Sequence, residues 1–247
     1  MGELIAILSG KGGTGKTSVC AGVATALAQL GEEVLCIDCD IGLRNLDISL
    51  GMVDSGALSF QDVCEGGYDI SQAAEHTKYS KLRFLTAPVN CTPEEINTEA
   101  FGHMLRKARN RFDYILLDAP AGIDAGFRLC AAFADRIILV TNFDPASVRD
   151  ASRTGEVLEL MGKKNVRLIV NRIHPKMFET MNITVDDIMD QAGLPLIGIV
   201  PEDANMVLAA ASRKSLLEST KKGAAAACRR IAKRIQGLPI PVSIGNK

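Results

Sequence analysis

The sequence predicts one α/β domain in which a mostly parallel central sheet is flanked by helices on both faces. Three observations carry this. Short apolar runs recur along the 247 residues without polar alternation, as strands buried on both faces do. Helical stretches separate them, and no linker, repeat or low-complexity run interrupts the series. The first strand leads straight into a glycine-rich loop and then a helix. The domain is expected to span 1–236, with 237–247 as an irregular C-terminal tail, because Pro239 and Pro241 forbid a regular helix there.

Taken in order, ELIAIL (3–8) is a strand, followed by a helix over 16–30 that stops at Gly31. EVLCID (33–38) is the second strand, and SFQDVCEG a short helix. LRFLTAP (82–88) is a strand ended by its proline. Residues 93–112 read as one helix, with Thr92 or Asn90 as its cap and Pro93 in its first turn. DYILLDAP (113–120), DRIILVTN (135–142), VRLIVNR (166–172) and LPLIGIVP (194–201) are further strands. Helices are expected at 145–161, 184–193, 203–212 and 219–236.

The bulk numbers narrow the classes. The 28 Lys and Arg nearly balance 29 Asp and Glu, a formal net charge of -1. That argues against a globally basic nucleic-acid binder and makes DNA a poor candidate partner. No apolar run approaches the roughly 18 residues of a membrane span, and no secretion leader is legible. Seven scattered cysteines, an odd count, suit reduced thiols and a cytoplasmic setting. Cys36 and Cys39 form a CxxC within a strand, where period two sends them to opposite faces; packing, not a metal, is expected. His76, His103 and His174 have no partners at ligand spacing and read as surface or structural.

Parallel sheets of this kind bind ligands beyond the C-terminal ends of their strands, so the residues there carry the chemistry. After the first strand comes Gly10-Lys11-Gly12-Gly13-Thr14-Gly15-Lys16-Thr17-Ser18, a GxxxxGK(S/T) loop in its required strand–loop–helix setting. Its backbone N–H groups wrap phosphate oxygens and the helix N-terminus adds partial positive charge. Lys16 is expected on the β- and γ-phosphates and the Thr17 hydroxyl on Mg²⁺. After the second strand, Asp38 and Asp40 share one side, where a carboxylate can orient an attacking water. Asp118 ends another apolar strand, where an acid serves Mg²⁺ through water. The AlaProAlaGly turn beyond it suits γ-phosphate sensing. Asn171, Arg172, Pro201 and Asp203 follow the last two strands, where a purine base would lie. ATP and Mg²⁺ are the expected ligands. Lys11 has no task in its own loop.

KGGTGKT resembles the deviant Walker A loop, KGGxGK(S/T), of the ParA/MinD ATPase family. DCDIGLRNLD (38–47), LDAPAGID (117–124), DPASVRDA (144–151), VNR (170–172) and IVPED (199–203) resemble the MinD branch in the same order, over roughly 2–215. The resemblance implies a P-loop NTPase that hydrolyses ATP slowly and under partner stimulation, and that spatially regulates cell division. It implies an ATP-dependent homodimer in which Lys11 reaches the partner's phosphates. It also implies an inhibitor of division (MinC-like), a stimulator (MinE-like) or another topological factor, and peripheral attachment at the inner face of an anionic membrane.

One departure bears on that last point. The branch ends in an amphipathic membrane helix, whereas the terminal GLPIPVSIGNK is proline-broken. The nearest substitute is CRRIAKRIQGL (228–238), where Cys228, Ile231, Ile235 and Leu238 form an apolar stripe beside Arg229, Arg230, Lys233 and Arg234. Arg229, Arg230, Ile231, Arg234 and Ile235 are the candidate membrane contacts, set against a last helix of the fold with a solvated basic face. Three other readings stay open: a ParA-like or flagellar-number-type ATPase positioning DNA or protein cargo, an iron–sulfur carrier using Cys91 and Cys130, and a scaffold that holds ATP without turnover.

Overall fold

The computed structural model describes residues 1–89, 91–181 and 183–242. The strands are β1 (Glu3–Leu8), β2 (Val34–Asp38), β3 (Ala74–Glu75), β4 (Leu82–Leu85), β5 (Tyr114–Asp118), β6 (Arg136–Asn142), β7 (Val166–Ile173) and β8 (Leu196–Pro201). Among the described residues these eight form one sheet in the order β3-β4-β2-β5-β1-β6-β7-β8. Every pairing is parallel except that of the two-residue β3 with β4.

The helices are α1 (Lys16–Gln29), α2 (Leu46–Leu50), α3 (Phe60–Cys64), α4 (Thr98–Arg109), α5 (Ala125–Phe133), α6 (Pro145–Leu160), α7 (Pro175–Met181), α8 (Val185–Ala192), α9 (Asn205–Ala211), α10 (Leu216–Ser219) and α11 (Gly223–Ile235). They make two cores, one on each face of the sheet. Along β1, Leu4, Ala6 and Leu8 join the core under α4, α5, α6 and α8, while Ile5 and Ile7 join the one under α1 and α11. Each strand is therefore apolar at successive positions, which is why the sequence shows no alternation. Cys36 and Cys39 fall in opposite cores, as the strand period requires. His76 is buried and structural, with Nε2 3.0 Å from the Leu50 carbonyl.

The sheet order sets the ligand position. β1 leads through α1 to β2 across one face, and β5 leads through α5 to β6 across the other. Neighbouring strands β5, β1 and β6 thus have connections that diverge at their C-terminal ends, and a crevice opens where they part.

Three expectations are corrected. The helix read over 93–112 is a 3-10 turn at Pro93–Glu95, boxed by Thr92 and Glu95, followed by a separate helix from Thr98. Asn97 Oδ1 accepts from Ala100 N–H and restarts the chain as an N-cap. Asn90 lies outside the described residues. The closing helix read over 219–236 begins later: the separate short α10 ends at Ser219, Thr220 is extended, and α11 starts at Gly223 after its cap Lys222. Third, the apolar stripe proposed for lipid faces inward. Cys228, Ile231 and Ile235 are buried in the core shared with α1 and β8. A methyl on Gly22 of α1 would strike the Cys228 sulfur, and one on Gly198 of β8 would strike Ile231. Arg234 is also engaged, donating to the carbonyls of Ile197, Ile240 and Pro241 and so fastening residues 240–241 beside the edge strand β8. Arg229 is held by Gln29 and the Lys221 carbonyl. Residues 237–242 are irregular, as expected; 243–247 lie outside the described residues.

Candidate active site

The loop between β1 and α1 is held from three sides. Ser9 Oγ donates to the Lys11 carbonyl at 3.0 Å, and Gly122 N–H donates to the Ser9 carbonyl at 3.1 Å, tying the Ala119–Asp124 turn to the loop. Asn171, at the end of β7, donates Nδ2–H to the Thr14 carbonyl at 2.7 Å. Gly15 is left-handed at φ 84° and caps α1 at its N-terminus. A methyl there would run into the Asn171 amide, so both conformation and space call for glycine. Gly10 has a different reason: its Cα lies against Asp150 and Thr154 of α6.

Beneath the loop lies a buried charge cluster. Lys16 is 6 % exposed, and its Nζ stands 2.8 Å from Asp118 Oδ1 and 3.4 Å from Thr17 Oγ1. Burial works against its charge, but the Asp118 carboxylate, by charge and hydrogen bond, raises the Lys16 pKa above its ordinary value. Asp38 and Asp118 end adjacent strands in direct register. Burial, then the neighbouring Asp118 charge, push Asp38 up to about 7. Its two oxygens accept from Asp40 N–H at 2.9 Å and Leu46 N–H at 3.2 Å, so Asp38 shapes the 39–45 loop. Asp40 is half-buried at the rim. Burial raises its pKa, opposed by Lys16 and assisted by Asp118.

Beside the cluster a cleft of ≈ 600 Å³ opens between the loop and the ends of β7 and β8. Gly15, Ser18, Asn171, Arg172, Pro201 and Asp203, all named as candidate nucleotide contacts, line it. Ser49 of α2, Met206 and Val207 of α9, and Leu216 line it too and were not anticipated. No spacing rule points to them, because the cleft is formed by α2 and α9 meeting far from the loop in sequence. Arg172 adopts a left-handed φ of 56° where β7 breaks register with β8. Two base-site residues carry structural tasks. Asn171 has its amide N–H on Thr14, leaving Oδ1 for a ligand. Asp203 accepts from Asn205 N–H, Asn205 Nδ2–H and Ala224 N–H, so its carboxylate joins the starts of α9 and α11 rather than facing a base.

Three buried polar atoms around the loop have no protein partner: Thr14 Oγ1, Asp118 Oδ2 and Asn171 Oδ1. Buried polar atoms are costly to leave unpaired, so these three test which groups the site can hold. They fit a phosphate oxygen at Thr14, a cation-bound water at Asp118 and an amino group of a base at Asn171. Lys11 lies apart from them, half-exposed, with Nζ 3.8 Å from Asp144 Oδ1. Gly12 and Gly13 face open space.

The family assignment follows from comparison with known proteins. The CobQ/CobB/MinD/ParA nucleotide binding domain matches residues 5–216. The septum site-determining protein MinD of Synechocystis is 38 % identical over 244 residues, covering 98 % of this chain and 92 % of that protein. The chain belongs to the MinD family. The Bacillus subtilis MinD is 36 % identical over 252 residues, covering 99 % of the chain and 92 % of that protein. Among solved structures, the MinC:MinD cell division complex of Aquifex aeolicus has a TM-score of 0.90 at 36 % identity, over 99 % of this chain and 100 % of that one. MinD of Pyrococcus horikoshii complexed with Mg-ADP has a TM-score of 0.80 at 26 % identity, over 95 % and 96 %. Of the two cysteines considered for a bridged iron–sulfur cluster, Cys130 is fully buried in the core of this MinD-family chain.

Proposed function

We propose that this MinD-family ATPase places the division site through an ATP-dependent homodimer, with slow turnover that a partner stimulates. The observation that carries the reading is the convergence of the loop lysine Lys16 with Asp118 and Asp40 beneath three unpartnered polar atoms.

The residues divide the work. Loop N–H groups and Lys16 bind the β- and γ-phosphates, and Lys16 exchanges Asp118 for phosphate as it does so. Thr17 and Asp118 are the residues that would hold Mg²⁺, which when bound would supply charge neutralisation to the phosphates. Asp40 orients the attacking water. Asn171 Oδ1, with Arg172 and Pro201 around the cleft, receives the base. Lys11 acts in trans, where a cation contributes only when nucleotide and partner subunit are both present. In size-exclusion chromatography with Mg·ATP, the wild type should form dimers that ADP does not support. Lys11→Ala should remain monomeric and Asp40→Ala should hold the ATP dimer. An ATP dimer in Lys11→Ala, or normal phosphate release in Asp40→Ala, refutes the respective role.

A MinC-like inhibitor and a MinE-like stimulator or other topological factor are the proposed partners, and the cytoplasmic face of the cell membrane the proposed location. With Ile231 and Ile235 inside the core, Leu238 is the stripe's exposed apolar side chain, and lipid contact falls mainly to cations. Arg230 and Lys233 are half-exposed on α11, and Lys221 and Lys222 are exposed before it. Sedimentation with anionic vesicles tests this. Binding that survives Arg230→Glu with Lys233→Glu removes α11 from the contact.

A further inference from the structure

The turn that carries Asp40 is fastened at a point outside the phosphate machinery. The Asp40 carbonyl accepts from the N–H groups of Leu43 and Arg44, both at 3.3 Å, which is long for a backbone hydrogen bond. Gly42 and Leu43 at the tip are exposed. Asp38 holds the two ends of the turn through Asp40 N–H and Leu46 N–H. Between those ends Arg44 adopts a left-handed φ of 45°, unfavourable for any residue but glycine. Its side chain reaches the end of β4, where Nε donates to Thr86 Oγ1 at 2.9 Å. Thr86 is a rigid post. It is 4 % exposed and both its backbone groups are committed: its N–H donates to the Leu58 carbonyl and its carbonyl accepts from Phe60 N–H, each at 2.9 Å. It bridges to Ser59, which with Asp62 caps α3. A cleft of ≈ 370 Å³ bounded by Arg44, α3 and residues 86–89 leaves the turn room to shift once the tie is cut.

We propose that Thr86 is a positioning residue for ATP hydrolysis, which through Arg44 holds the Asp40 turn in place and with it the carboxylate that orients the attacking water. The inference rests on the role of Asp40 given above. The Arg44 N–H is bonded to the Asp40 carbonyl, so a shift at Arg44 is passed to Asp40. An unfavourable φ persists where the surroundings hold it, and the Thr86 hydroxyl supplies that hold. A water-orienting carboxylate that wanders slows the chemical step. It does not weaken the grip on the phosphates, because Lys16, Thr17 and the loop N–H groups sit on α1 and the loop before it rather than on this turn.

The test is single-turnover phosphate release from Mg·ATP by the full chain, read beside its calorimetric affinity for Mg·ADP. Thr86→Val keeps the outline of the side chain and removes the hydroxyl. It should slow release by about 2- to 12-fold, the range set by one net hydrogen bond, and leave ADP affinity within about 2-fold of wild type. Thr86→Ser returns the hydroxyl and should recover most of the rate. Arg44→Met cuts the same tie from its other end, so the double variant should be no slower than the slower single one. Arg44 is partly exposed, so Arg44→Met keeps the test open whatever Thr86→Val does to folding. The positioning role is overturned if either single variant releases phosphate at the wild-type rate, if Thr86→Ser is as slow as Thr86→Val, or if the two losses multiply. It is equally overturned if ADP affinity falls in step with the rate, since Thr86 then shapes the binding site as a whole. Wild-type release in Asp40→Ala overturns the reading of Asp40 itself, and the role of Thr86 with it.

Discussion

Asp38→Asn removes one negative charge from the buried end of β2 and nearly preserves the side-chain shape. In the native protein Asp38 titrates at about 7, because it is buried beside Asp118. An unfolded aspartate titrates near ~3.9. Between those values the folded chain binds the extra proton, so stability falls as pH rises through that window, and the loss is complete above it. At roughly 1.4 kcal/mol per pKa unit the loss amounts to at most about 4 kcal/mol. Asparagine escapes it but forfeits one acceptor, leaving the Leu46 N–H facing an amide, at a cost of about 1–3 kcal/mol. Asp40, also raised, is common to both chains and cancels in the comparison. Urea denaturation of the nucleotide-free protein should therefore give a variant less stable than wild type near pH ~4.5 and at least as stable near pH ~8, a swing of about 3 kcal/mol. A stability difference constant to within about 1 kcal/mol across that range would show that burial and the Asp118 charge do not raise Asp38 as argued.

Two further substitutions probe separate features. Lys16→Met keeps the length of the side chain but leaves Asp118 buried without its counter-ion, and should cost about 3–5 kcal/mol at neutral pH in addition to abolishing nucleotide binding. Denaturation that leaves stability within about 1 kcal/mol of wild type contradicts the pairing. Arg213 is an exposed residue held at a left-handed φ of 53°, with only its ion pair to Asp54 in compensation. Arg213→Gly relieves the backbone and should stabilise the chain by about 0.5 kcal/mol after the lost pair and the added flexibility are counted. A lower melting temperature counts against it.

The phosphate loop was legible in the sequence because it works through its backbone. Its glycines, lysine and threonine have to be adjacent, so their spacing carries the information. Asp118 and Asp40 were legible as acids at strand ends, where the topology forces them towards the loop. The cleft wall was only half legible. Asn171, Arg172 and Pro201 also end strands, whereas Ser49, Met206 and Val207 arrive through the packing of α2 against α9, which no local pattern encodes. The nine-residue α5 passed unnoticed between β5 and β6, hidden by the preceding AlaProAlaGly turn and a proline that packs on its Gly126. For α11 the sequence pattern leaves two directions open, and the structure takes the one that closes the core. An apolar stripe beside a basic face describes a helix on a lipid surface and a helix closing a core equally well. What decides is whether a groove awaits the stripe; here Gly22 and Gly198 leave room for Cys228 and Ile231.

The pairing of Lys16 with Asp118 predicts that nucleotide affinity depends on a divalent cation. Lys16 is the ion-pair partner of Asp118, and Asp38 stands in register beside that carboxylate. Once Lys16 turns to a phosphate, Asp118 is left buried, ionised and next to a second acid. Proton uptake by Asp38 relieves part of the repulsion, since its affinity for a proton is already raised. A divalent cation held by Thr17 and Asp118 would relieve more, placing charge where Lys16 had withdrawn it. ATP alone would then bind against the cost of an uncompensated carboxylate, and ATP with Mg²⁺ would not. The expected outcome is tighter ATP binding with Mg²⁺ than with EDTA, read by isothermal calorimetry; equal affinity in the two would show that the Lys16–Asp118 pair imposes no such cost.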